Sequence, residues 1–175
     1  MTQFGIGQSV SRFEDPRLLR GRGCFVDDIN QLGQAHAVLL RSPHANAIIR
    51  SIDLTAARQS PGVLAIYTGD DVAADGLGTM KVSVPRKRPD GSPMFARAHT
   101  GLTRSHVRYV GDPVAMVVAE SVWQAKDAAE LIAIDYEPLA SVTDTVQTVA
   151  PGAPAVWDEC PDNISNVFEA GNAKA

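Results

Sequence analysis

Arg108-Tyr-Val-Gly-Asp-Pro-Val-Ala-Met-Val-Val-Ala-Glu120 is the stretch whose reading decides the fold. Gly111-Asp112-Pro113 is a turn signal. Proline fixes its own φ and pushes the preceding residue toward extended geometry, so the chain leaves the turn already shaped as a strand. The apolar run that follows, Val114, Ala115, Met116, Val117 and Val118, is short and rich in valine, the pattern of a strand buried on both faces. Ser121 then opens a helix with Gln124 three residues on, a capping-box arrangement. That helix is expected over Val122–Ile134. Its buried stripe is Val122, Ala125, Ala129 and Ile132. A second, edge-like strand follows at Asp135 to Leu139. Gly111, Asp112 and Pro113 are therefore expected to form a structural turn and not a ligand site.

Working outward, residues 1–32 carry glycine punctuation and no sustained period, with Glu14-Asp15-Pro16 starting a short helical turn that carries Leu18 and Leu19. Strands are expected at Gly33–Ser42, Ala47–Leu54 and Val63–Thr68. Thr55 is expected to cap one brief helix and Asp70 another, the second ending by Gly76. Residues 77–106 read as a long loop, a length that in a compact domain implies a function or ordering on a partner. A last short helix is expected from Val142 to Val149. From Pro151 onward only Val156-Trp157 and Val167-Phe168 look anchored.

The chain has 175 residues, 45% hydrophobic and 21% charged, a globular composition of single-domain size. No apolar run approaches the roughly 20 residues of a membrane span, and no basic start followed by an apolar core marks a signal peptide. The net charge of −4 argues against nucleic acid as the main partner. Cys24 and Cys160 have no C-x-x-C companion. Two buried thiols in a cytoplasmic protein are expected, with a disulfide as the other reading.

Charge is unevenly spread. Lys81, Arg86, Lys87, Arg88, Arg97, Arg104 and Arg108 stand against Asp90 alone, while Asp135 to the end carries seven acids and one lysine. Two solvated surfaces of opposite sign would give this pattern, and so would a subunit-docking surface built on Arg86, Lys87 and Arg88.

The residues supply no catalytic constellation. Gly5-Ile6-Gly7, Gly21-Arg22-Gly23 and Gly76-Leu77-Gly78 lack the strand, tight turn and helix N-terminus that a phosphate cradle needs. His36, His44, His99 and His106 show no metal-ligand spacing. His44, after Arg41-Ser42-Pro43, reads as a loop residue with a local hydrogen bond. Asp27-Asp28 lacks the further ligands a hard cation requires. No serine stands in a nucleophile elbow.

The Arg108–Leu139 segment closely resembles Y-x-G-x-P-V-A-x-V-V-A-x-(helix)-x-Y-E-x-L of the xanthine dehydrogenase/aldehyde oxidase/carbon monoxide dehydrogenase family, in the α/β hammerhead domain that begins its molybdenum-binding large subunit. Ile6 to Asp15, Leu18 to Gly23 with Asp27-Asp28-Ile29, Arg41-Ser42-Pro43-His44-Ala45, Ile52-Asp53, Ala57, Pro61-Gly62-Val63 and Thr68 to Asp71 continue the likeness in the family's order. Phe25 stands where relatives often have tyrosine. The resemblance implies an α/β (α+β) hammerhead with a mixed sheet and a few short helices packed on it. It covers residues 1–150, with 1–32 as an irregular arm, and leaves 151–175 as an extended linker toward absent molybdopterin-binding domains.

The family's cofactor loops and its catalytic glutamate lie beyond this segment, so no catalytic, cofactor-binding or metal residue is carried over. The resemblance further implies molybdopterin cytosine dinucleotide in the full subunit, 2Fe-2S and FAD in partner subunits, and a bacterial parent with separate subunits. The parent reaction would be oxidative hydroxylation of an aldehyde, N-heterocycle or CO, with oxygen from water. The other reading is a stand-alone, non-catalytic binding or assembly module.

Overall fold

The computed structural model describes residues 7, 9–97, 99–168 and 170–171. The Gly5-Ile6-Gly7 pair and the last four residues therefore lie wholly or partly outside the described residues. The chain divides into two compact units, 1–34 and 35–175.

The first unit holds helix α1 (Asp15–Leu18), with Pro16 in its first turn, and a single 3-10 turn at Val26–Asp28. Proline there replaces an N–H that would have no helical partner in any case. The Asp15 carboxylate accepts from Arg12 N at 2.9 Å, and the Asp28 carboxylate accepts from Phe25 N at 2.8 Å. No described residue of this unit is buried, so local turns hold it, not a core. Cys24, expected buried, is exposed.

The second unit runs β1 (His36–Arg41), β2 (Ala47–Asp53), α2 (Thr55–Arg58), β3 (Val63–Thr68), α3 (Gly69–Ala74), β4 (His106–Val107), β5 (Pro113–Ala119), α4 (Val122–Glu130) and β6 (Ala133–Pro138). Its strands form two three-stranded sheets, in the orders β1-β5-β3 and β4-β2-β6, and every ladder is antiparallel. The few short helices expected beside the sheet are present, and the expected mixed sheet is two small antiparallel sheets.

β5 is the central strand of the first sheet; the expected burial on both faces is partial, since Val114, Ala115, Val117 and Ala119 are buried but Met116 and Val118 only half-buried. Ala115, Val117 and Ala119 face α4 and pack with Ala57, Ile66, Ala125, Ala128, Ala129 and Ile132. Val114, one residue out of phase, joins Ala47, Ile49 and Val107 in a second cluster against the other sheet. One strand therefore supplies both cores, as period-2 alternation allows. The alanines of α4 let the helix lie close on the sheet.

Several boundaries differ from the sequence reading. α4 stops at Glu130, because the chain turns at Leu131 and Ile132 while still burying Ile132; Val122, expected in the stripe, is 36% exposed. Ser121 does cap α4, but Gln124 returns its Oε1 to the serine hydroxyl (2.8 Å). Thr68, not Asp70, caps α3, and Asp71 accepts from Thr68 N at 2.6 Å. Leu54, not Thr55, takes the cap position of α2, with Asp53 Oδ1 accepting from Thr55 N. β4 lies at the end of the expected loop, too short to show a period. The expected helix over 142–149 is a 3-10 turn at Gln147–Val149, because Val146 (77% exposed) and Val149 (56%) find no surface to bury against.

Candidate functional site

The turn before β5 is the anchor from which the rest of the region is built. Gly111 adopts φ +95°, a left-handed conformation open to glycine. Its N–H donates to Ser42 O at 2.8 Å, and Ser42 N donates to Asp112 O at 2.9 Å, tying the turn to the end of β1. The buried Asp112 carboxylate accepts from Thr103 Oγ1 at 2.6 Å and from Arg108 N at 3.1 Å. Each oxygen thus accepts a hydrogen bond from the protein itself, which fastens the turn to residues 103 and 108.

Held by that turn, residues 77–108 meet the C-terminal segment, and the two opposite charge blocks of the sequence face each other. The Arg108 guanidinium donates to Val156 O and lies 3.7 Å from the Trp157 ring centroid. Arg97 stands 5.3 Å from the same ring and pairs with Glu159 at 2.7 Å. Guanidinium over indole is attractive because the ring face carries negative charge. Phe95 and Ser165 exchange two hydrogen bonds, Phe95 N to Ser165 O and Ser165 Oγ to Phe95 O. Residues 151–168 thus run packed along the loop.

The three cations singled out from sequence separate. Arg88 is half-buried, donates to Ile164 O and stands 4.0 Å from the Asp162 carboxylate. Arg86 lies over the Phe168 ring at 5.5 Å. Lys87 is exposed and makes only backbone contact, a bridge to Pro93. The loop itself folds back as a small hairpin, with Arg88 N bonded to Ser92 O and Met94 N to Arg86 O.

Two cavities flank Trp157. One, of about 360 Å³, is mainly apolar and reaches Phe95, Trp157 and Cys160; the other, of about 680 Å³, lies toward Arg104, His106 and Tyr109. Burial and the neighbouring Asp162 push the Cys160 thiol up, which keeps it protonated and a poor nucleophile. Burial and then the charge of Arg108 hold His106 below its ordinary range, while its Nε2 contacts Asn46 Oδ1 at 2.6 Å. A neutral imidazole held by an amide is a structural pairing. His44 takes the local hydrogen bond expected of it, its N–H donating to Ser42 Oγ at 3.0 Å.

Among the described residues no three His, Cys, Asp or Glu gather as a metal site. Gly76 and Gly78 follow the C-terminal end of α3, the wrong pole of the helix for a phosphate. Asp28 spends its carboxylate on the Phe25 N–H. Trp157 was expected to be anchored and Arg97 stood in the basic block, but their meeting was not foreseen, and Asn163 was missed. Asn163, at φ +56°, fixes the C-terminal segment by accepting from Val156 N and donating to Thr148 O and Pro154 O. The aromatic and asparagine in an acidic, aperiodic segment were the only signal.

Residues 20–140 match the family model described as aldehyde oxidase and xanthine dehydrogenase, a/b hammerhead domain. The nicotine 6-hydroxylase large subunit of Paenarthrobacter nicotinovorans is 39% identical over 94% of this chain and 19% of its own length. The carbon monoxide dehydrogenase large chain of Afipia carboxidovorans is 32% identical over 95% of this chain and again 19% of its own. Among solved structures, a Cu,Mo-CO dehydrogenase in its carbon monoxide reduced state superposes at TM-score 0.70 with 32% identity, over 95% of this chain and 20% of that one. Quinoline 2-oxidoreductase from Pseudomonas putida 86 gives 0.67 with 38% identity, over 85% and 18%. The chain spans about one fifth of the length of the curated relatives it matches. Sequence, sheet topology and superposition agree, and the chain belongs to the aldehyde oxidase and xanthine dehydrogenase family as its a/b hammerhead domain.

Proposed function

We propose that this chain is the N-terminal structural part of a molybdenum hydroxylase large subunit, redox-silent by itself. The observation that carries the reading is the match over 94% of this chain but 19% of a nicotine 6-hydroxylase large subunit. The parent enzyme would hydroxylate an N-heterocycle, aldehyde or CO carbon oxidatively, taking oxygen from water and passing electrons to 2Fe-2S and FAD subunits. Molybdopterin cytosine dinucleotide would supply the redox centre, but the described residues do not fit it. Among them no three metal-ligating side chains gather, the glycine pairs at 21–23 and 76–78 precede no long helix, and each oxygen of the turn's buried carboxylate already accepts a hydrogen bond from the protein. On this reading its site lies in the remainder of the large subunit. This domain would wall the cofactor cleft, within a bacterial, cytoplasmic complex of separate subunits. The exposed Lys87, with Arg86 lying over the Phe168 ring beside it, is the candidate for subunit contact.

Metal analysis and a visible spectrum of the pure 175-residue chain, beside the complete large subunit, test the reading. Molybdenum near one equivalent is expected in the complete subunit and none in the chain. Stoichiometric molybdenum or flavin in the chain alone would overturn it.

A further inference from the structure

The two sheets treat their outer faces differently. In the second sheet the face away from the core carries the exposed Arg50, Ser51, Asp53, Ala133, Asp135 and Glu137 beside half-buried Ile48, with Arg50 and Glu137 paired across strands. That is the alternation expected of an antiparallel sheet with one face in water. The first sheet lacks it. Its inner rows face α4, and its outer rows, read across the three strands by register, are Ala37–Val118–Ala65 and Leu39–Met116–Tyr67. Leu39 is 38% exposed and Tyr67 39%, while Leu64, in the irregular step between Val63 and Ala65, is 57% exposed. The strand residue of this face that carries charge is Arg41, at its end, with its guanidinium donating to Gly111 O.

Contiguous apolar surface of this kind marks a contact, whereas single exposed apolar residues do not. We infer that this outer face, centred on Leu39, Met116 and Tyr67, is the seat of the remainder of the large subunit. The inference rests on the reading given under Proposed function. Two features select a permanent partner from the same polypeptide. Permanent interfaces are apolar like a core cut in half, whereas subunits that meet by diffusion are steered by charge, and this face has no acid and only one, already bonded, cation on its strands. The curated relatives also carry about four fifths of their length beyond the matched region, enough chain to cover it.

Hydroxyl-radical footprinting of the unmodified protein, read by mass spectrometry at Leu39, Tyr67 and Met116, tests this in the complete large subunit against the same subunit unfolded in urea. A covered face should oxidise at least about tenfold more slowly when folded. A face left open, at 38 and 39% exposure for Leu39 and Tyr67, would slow by only about two- to threefold, and that result overturns the inference. The 175-residue chain alone supplies a second arm: protection there that disappears on dilution would assign the face to a second copy and also overturns it. An antibody to the chain separates this failure from that of the underlying reading. If source cells contain only the 18.6-kDa species, both fall; if they contain the long subunit with an unprotected face, only the docking inference falls.

Discussion

At Gly111 the backbone sits at φ +95°, and a Cβ placed there would meet nothing within 4 Å. Any penalty for a side chain is then conformational alone. Gly111→Ala should lower stability by about 1–2 kcal/mol, seen as a lower urea midpoint with unchanged slope. An unchanged midpoint would mean the turn relaxes freely. Gly62 combines φ +77° with a crowded site, where a Cβ would run into the Gln124 amide that meets the Ser121 hydroxyl. Gly111, Pro113 and Ser121 were legible because each acts through its own backbone or a neighbour three residues away. The cap of α3 was misread for a related reason: Thr68 and Asp70 are both good caps in isolation. The reciprocal bond to Asp71 that favours Thr68 shows only once the helix start is fixed.

The strands were legible at the level of elements because their apolar alternation is local, and β5 stood out because it is apolar on both faces, one packed on α4 and the other carrying Val114 into the second cluster. The pairing of the basic loop with the acidic C-terminal segment was not legible. It is made of cation–ring contacts and ion pairs between aperiodic segments up to 76 residues apart, and no local pattern encodes which charge meets which. This changes what charge reversal should do. Arg88 donates to Ile164 O and its side chain is only 26% exposed, so Arg88→Glu should cost about 1–2 kcal/mol of stability, the scale of a lost charged hydrogen bond. Lys87 is exposed, and Lys87→Glu should change stability by less than about 0.5 kcal/mol. Chemical denaturation of the two variants side by side decides; equal effects would mean that the loop is not fastened where the contacts place it.

Across the whole molecule, the titrating groups work at both ends of the pH scale and leave a plateau between. Burial and then Arg108 hold His106 below its ordinary 6.5. The unfolded chain therefore takes up that proton first, and the stability from keeping the ring neutral is present above about pH 6.5 and lost as pH falls below it. Asp53, Asp71, Asp90 and Asp162 are held below 3.8 mainly by hydrogen bonds from Thr55, Thr68, Ser92 and the Ile164 N–H. Their contribution persists above that value and fades as pH falls through their folded values. At the alkaline end burial, then Asp162, raises Cys160 above 9.0, and burial raises Tyr136 above 10.0. Both ionise first in the unfolded chain, so stability declines as pH rises past about 9. Urea midpoints measured across pH should therefore be flat from about 6.5 to 9, with a shoulder below 6.5 that precedes the main acid loss. His106→Gln, which keeps a side-chain N–H for Asn46 and cannot titrate, should remove that shoulder and leave the steep loss near the carboxylate range in place. A shoulder that survives the substitution would assign it to another group and separate His106 from the acid response.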